Sequence, residues 1–182
     1  LLRAPAREAR LARGDLMQLL AMAAFGAVIG PVALAWGLQH TSGAGASLML
    51  TLEAFFTAVL AWMLYRESMG GRAWTAMLLL LAGGALLVLD QQSSGEVRML
   101  GLLAVLLATA AWGVDNTLSR TLAERDPGQV VMVKASLGAL ATTAIALVSG
   151  ERLPNVGQAL ALVTVGATGY GLSLRFYLLA QR

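Results

Sequence analysis

Charged residues punctuate the chain into six apolar blocks: Leu16 to Leu38, Gly45 to Tyr65, Ala73 to Leu89, Met99 to about Leu118, Val130 to Val148, and Gly157 to about Leu179. A helix needs roughly 20 apolar residues to cross the hydrocarbon core of a bilayer, and each block is long enough. No Lys, Arg, Asp or Glu falls between Asp15 and Glu53, or within Ala73 to Leu89; Asp115 and Asn116 interrupt the end of the fourth block. The connectors carry turn signals at Thr41-Ser42-Gly43, Gly70-Gly71, Ser93-Ser94-Gly95, Asp126-Pro127-Gly128 and Leu153-Pro154-Asn155. Because they are short, consecutive helices should be antiparallel neighbours. The pattern predicts an all-α integral membrane protein with six transmembrane helices.

Composition agrees with a chain that lives in lipid. Of its 182 residues 58% are hydrophobic and 13% charged, against about 25% charged in a soluble domain. Cysteine is absent, which excludes disulfides, thiolate chemistry and Cys-ligated metals. No HExxH, GxSxG, P-loop or dinucleotide fingerprint occurs, so no catalytic residues, cofactor or metal are expected.

The arginines orient the spans. Arg3, Arg7, Arg10, Arg13, Arg66, Arg72, Arg120, Arg125 and Arg182 fall at one set of ends, and only Arg98 and Arg152 at the other. Cytoplasmic loops are enriched in Lys and Arg, which places the basic arm 1–15 and the loops 66–72 and 119–128 in the cytoplasm and predicts a multi-pass protein of the inner cell membrane. A signal peptide is excluded, because the first block is too long and five more follow.

Four ionisable residues lie inside the blocks. Glu53 stands near the midplane of the second, where an ionisable group costs on the order of 3 kcal/mol or more unless compensated. It reads either as a proton or amine-substrate site or as a structural acid bonded to a neighbouring helix. Asp115, Lys134 and Arg175 share a layer five to six residues from the cytoplasmic ends. Asp115 and Lys134 are expected to form a structural ion pair, with a substrate contact as the other reading. Arg175 either binds a substrate carboxylate or snorkels to the headgroups. Counted by depth, no base in the chain partners Glu53.

Gly26 and Gly30 form a GxxxG that permits close helix packing, and Pro31 adds a kink. Trp36, Trp62, Tyr65 and Trp74 fall near span ends as interfacial anchors. Trp112 and Tyr170 lie deeper, as candidate cavity walls. Glu67 reads as a solvated loop charge, and His40 as a solvated loop histidine. A faint internal echo relates GAVIGPVALAWGLQH in the first block to GATGYGLSLRFYLLAQR in the sixth, at an offset of about 140 residues. The two blocks run in opposite directions, as an inverted repeat requires.

Three runs carry a family resemblance: Gly30-Pro31-Val32-Ala33-Leu34-Ala35-Trp36-Gly37-Leu38-Gln39-His40-Thr41-Ser42, Ala46-Ser47-Leu48 through Leu52-Glu53-Ala54-Phe55-Phe56-Thr57-Ala58, and Tyr65-Arg66-Glu67-Ser68. Gly83-Gly84-Ala85-Leu86-Leu87, Ala111-Trp112-Gly113-Val114-Asp115-Asn116-Thr117-Leu118-Ser119-Arg120 and Gly169-Tyr170-Gly171-Leu172-Ser173-Leu174-Arg175-Phe176 extend it. Together they resemble the EamA-type transporters of the drug/metabolite transporter superfamily. One departure stands out: many relatives have Pro after the mid-helix Glu, where this chain has Ala54, so a proline kink is not expected there.

The resemblance implies a ten-helix bundle of two inverted five-helix repeats, of which this chain carries helices three to eight. It begins with Leu1 and stops directly after its sixth block, and a fragment is expected. Residues 16–89 would be the end of the first repeat, 90–98 an outward linker and 99–182 the start of the second.

The implied function is secondary transport, by alternating access, of a small metabolite or drug-like solute, with export favoured. Glu53, Asp115, Asn116, Arg175, Trp112 and Tyr170 are the candidates for the transport path. A lipid-linked sugar flippase and a non-transporting scaffold are the alternatives. The expected partners are the bilayer and a small-molecule substrate, not nucleic acid; proton coupling and a homodimer stay open.

Overall fold

The structure, a computed structural model, describes residues 9–92, 96–151 and 154–180, with side chains for all of these but 90–92 and 96–97. Among the described residues six helices are long and apolar enough to cross a membrane: α1 Arg13–His40, α2 Gly43–Tyr65, α3 Gly71–Leu89, α4 Arg98–Leu122, α5 Pro127–Val148 and α6 Val156–Ala180. They match the six apolar blocks in number and order. Helical backbone runs to Gln92 and resumes at Glu96, and so enters the expected 90–98 linker from both sides. Polar residues can continue a helix past the hydrocarbon. The turn expected at Ser93-Ser94-Gly95 lies outside the described residues, as do Arg3, Arg7, Arg152, Leu153, Gln181 and Arg182.

Several turn signals prove to be helix caps. Ser42 Oγ accepts the Gly45 N–H at 3.1 Å to open α2. Asp126 Oδ1 accepts the Gly128 N–H at 2.8 Å ahead of α5, with Pro127 in the first turn. Asn155 and Gln158 cap each other at the start of α6, at 2.9 and 3.0 Å. Each cap satisfies an N–H that the helix itself leaves without a partner.

Two helices contain π-helical segments, at Ala23–Ile29 in α1 and Gly166–Leu172 in α6. Their starts lie 143 residues apart (166 − 23), close to the offset of the sequence echo. In α1 the cause is local. Pro31 has no N–H and its ring crowds the carbonyl four residues back, so the expected kink takes the form of a wider turn. The α6 segment contains Gly166, Gly169 and Gly171 and no proline.

The chain divides into two compact units, Val28–Thr117 and Leu1–Ala27 with Leu118–Arg182. In Val28–Thr117 the core is Ala46, Met49, Leu52, Leu102 and Val105, ringed by residues that include Leu34, Phe55, Phe56 and Leu80. Lipid is as apolar as Leu, so close packing rather than water exclusion holds such helices together. α1 and α4 meet through small residues. A Cβ on Gly37 would lie 2.8 Å from the Gly101 carbonyl oxygen, and one on Gly101 would lie 2.7 Å from that of His40. His40 is therefore a helix residue rather than the loop residue expected. It ends α1, stacks on Trp36 at 4.1 Å, and its Nδ1 lies 2.7 Å from the Trp36 carbonyl oxygen. Leu78, Leu79 and Leu86 of α3 stay exposed, as lipid-facing residues do.

The other unit is built on Leu19, Met22, Leu122, Val130 and Leu178. Its arm is fastened at several points. Arg125 grips Asp15 with Nε and Nη2 at 3.0 and 3.1 Å. The Asp126 N–H donates to the Ala9 carbonyl at 3.0 Å, and the Leu11 N–H to Gln129 Oε1 at 3.1 Å. Gln18 Nε2 donates at 2.6 Å to the Leu118 carbonyl near the end of α4. A bidentate Arg–carboxylate pair supplies geometry as well as charge. Replacing Asp15 with Ala should release the arm, so that limited trypsin digestion cuts after Arg10 and Arg13 several-fold faster; an unchanged rate would show that the backbone contacts hold it unaided.

Candidate functional site

The site is built on α2 and α4 within the Val28–Thr117 unit. α2 is interrupted once, at Thr51, between helical Gly43–Leu50 and Leu52–Tyr65. The Leu48 carbonyl accepts both the Thr51 N–H at 3.2 Å and the Thr51 hydroxyl at 2.6 Å. That three-residue closure tightens the turn, and a back-bonding Thr bends helices. The break comes two residues before Glu53, and no proline makes it.

Glu53 is the eleventh of the 23 residues of α2 (53 − 43 + 1), and it is half-buried. Its Oε1 accepts a hydrogen bond from Asn116 Nδ2 at 2.6 Å. The depth count sets Glu53 apart from the layer of Asp115, Lys134 and Arg175; the structure pairs it with Asn116, the residue after Asp115. A count from block ends gives backbone depth, leaving out the reach of two side chains and the register between helices.

Close approach of the backbones sets that register. A Cβ on Gly113 would lie 2.6 Å from the Phe56 Cβ, nearer than real Cβ contacts come, and 3.2 Å from the Thr57 nitrogen, tighter than most. One turn further on, Thr117 Oγ1 donates to the Gly113 carbonyl at 2.7 Å. The Tyr65 hydroxyl donates to the Thr117 carbonyl at 2.9 Å, so this residue, expected only as an interfacial anchor, also ties α2 to α4. The neighbouring Trp112 packs its indole over Gly30, where a Cβ would lie 2.6 Å from Nε1.

The remaining candidates fall in different settings. Asp115 is buried in the same unit as Glu53. Lys134, in the other unit, is buried as well, whereas Arg175 and Tyr170 of that unit are exposed. Gly26 is buried, and Pro31 follows the π segment of α1. Among the described residues no group of three or more His, Asp or Glu side chains is arranged to hold a metal ion.

Three contributors escaped the sequence reading: Gly113, Thr117 and Thr57. Thr57 lies four residues after Glu53 on the same helix face, a spacing visible in the sequence. Gly113 stood inside a run quoted only for its resemblance.

Residues 3–89 match the family model described as the EamA-like transporter family. The chain is 31% identical over 147 residues to an "Uncharacterized transporter" of Methanothermobacter thermautotrophicus, covering 79% of this chain and 43% of that protein. It is 29% identical over 87 residues to a "Probable amino-acid metabolite efflux pump" of Escherichia coli K12, covering 48% of this chain and 29% of that protein. The chain thus spans less than half the length of these relatives. No solved structure matches it. Enlarging Gly113 to Val should force α2 and α4 apart and cost about 1–3 kcal/mol, as overpacking does, with Gly113→Ala intermediate; thermal unfolding of the purified protein measures both.

Proposed function

We propose that this chain, which belongs to the EamA-like transporter family of multi-pass membrane proteins, serves a secondary transporter of small metabolites, working by alternating access with Glu53 at its centre. The observation that carries this reading is the placement of Glu53. It is an ionisable group midway along a membrane-spanning helix, held by one neutral amide at 2.6 Å. Ionisable groups at such depth mark ion, proton and substrate pathways. An amide can donate to a carboxylate or accept from a carboxylic acid after turning over, so Asn116 can stay engaged while Glu53 gains or loses a proton. Glu53 thereby supplies proton coupling, or charge pairing with the solute.

The name of the Escherichia coli relative favours an amino-acid-derived solute moved outward. The distribution of arginines supports a cytoplasmic location for the arm and for loops 66–72 and 119–128. Cysteine labelling reads this orientation: in the complete protein freed of any other cysteine, Glu151→Cys should react with an impermeant maleimide in intact cells, and Glu67→Cys only after lysis.

Glu53→Gln in the complete protein should reduce solute flux in proteoliposomes at least a hundredfold while leaving the yield of folded protein unchanged. Flux near that of the native protein would refute the role of Glu53.

A further inference from the structure

We infer that Glu53, Thr57 and Asn116 form the receiving site for a primary ammonium group of the solute, and that the Asn116 amide stands in for that group in the conformation seen. This deepens the transporter reading and rests on it.

The starting observation is the Thr57 hydroxyl. Its Oγ1 is sealed from solvent and has no hydrogen-bond partner among the described residues. Other span threonines behave differently: Thr109, Thr117 and Thr142 each donate to the carbonyl four residues back, at 2.7, 2.7 and 2.8 Å. A buried hydroxyl left without a partner is disfavoured, and such a group calls for an explanation. Thr57 sits one turn from Glu53 on the same face of α2. One turn before it, Glu53 Oε1 already receives an N–H from Asn116 at 2.6 Å.

An ammonium group carries three donors and no acceptor. The cluster answers with the Glu53 carboxylate, the Thr57 hydroxyl and, once its amide turns over, Asn116 Oδ1. The amide N–H now on Glu53 marks where an ammonium N–H would arrive, so the solute displaces a donor already in place rather than an empty contact. A metal ion fits poorly, because hard cations take six or more oxygens and this cluster presents three residues. Two and three residues after Glu53, Phe55 and Phe56 form an edge-to-face pair at 5.5 Å that packs on the apolar core of the unit.

The test compares L-leucine methyl ester with N-acetyl-L-leucine methyl ester, which differ at the amine alone, as ligands of the complete protein in nanodiscs. The charged ester should raise the melting temperature and bind at least tenfold more tightly than its acetylated form. Thr57→Val should weaken ester binding about tenfold, the loss expected for one hydrogen bond to a charged group, and Thr57→Ser should restore it to within twofold. Without ligand, Thr57→Val should melt no lower than the native protein, because it removes a buried hydroxyl that has no partner; a structural hydroxyl would give a lower melting temperature. Absence of ester binding, equal binding of the acetylated ester, or unchanged affinity in Thr57→Val would overturn the site. These readouts are affinities, whereas the Glu53→Gln experiment reads flux, so a failure of the ammonium site is distinguishable from a failure of the transporter reading.

Discussion

Hydrocarbon offers no hydrogen bonds, and the structure follows from how this chain supplies its own. Every backbone N–H and C=O inside the bilayer must be met by protein, which makes helices the only economical form for six spans. The same demand falls on side chains. Span threonines turn inward on their own helix, as Thr109 does on the Val105 carbonyl. Helix ends, where carbonyls and N–H groups run out of partners, are closed by Ser42, Asp126, Asn155 and Gln18. Within α2, the half-buried carboxylate of Glu53 and the hydroxyl of Thr57, which has no partner among the described residues, stand out as polar capacity held in reserve.

Packing determines where that reserve lies. Helices in lipid gain little from hiding apolar surface from one another, so how near they come depends on the smallest residues at their contacts. Gly113 lets the α4 backbone lie against Phe56 and Thr57 of α2. Tyr65 and Thr117 then hold the two helices together one turn or more away. The Glu53–Asn116 bond of 2.6 Å is the product of that contact. Chemistry at the site and packing around it are therefore one problem, and a residue with no polar atom of its own, Gly113, decides whether two polar side chains meet.

How much of this was legible depended on the scale of the feature. Six spans could be read because bilayer thickness imposes a length that apolar blocks display openly. The caps could be read as turn signals, since Ser42, Asp126 and Asn155 are the residue types that both jobs need. Glu53 announced itself as a charge where charge is expensive. Its partner did not, because Asn116 lies 63 residues further on and the register that joins them is fixed by Gly113, whose contact leaves no periodic trace. Pro31 pointed to the irregular stretch of α1, while Ala54 spoke only against a proline kink beside Glu53 and left unseen the interruption of α2 at Thr51, whose hydroxyl returns to the Leu48 carbonyl. His40 misled because a lone histidine at a block end looks like a loop residue until its ring is seen stacked on Trp36.

The π segments bear on angle rather than energy. Each residue of an α-helix turns its successors by about 100°, and a π turn takes in about one residue more than an α turn. In α1 the segment Ala23–Ile29 ends directly before Gly30, which receives the Trp112 indole, and Gly37 follows two turns later against the Gly101 carbonyl. Both contacts belong to the Val28–Thr117 unit. Deleting one residue between them would leave α1 long enough and apolar enough to span the bilayer, yet would swing every later side chain by about 100° and carry Gly37 away from Gly101. Length and hydropathy could drift in such a helix; its residue count between those two contacts could not.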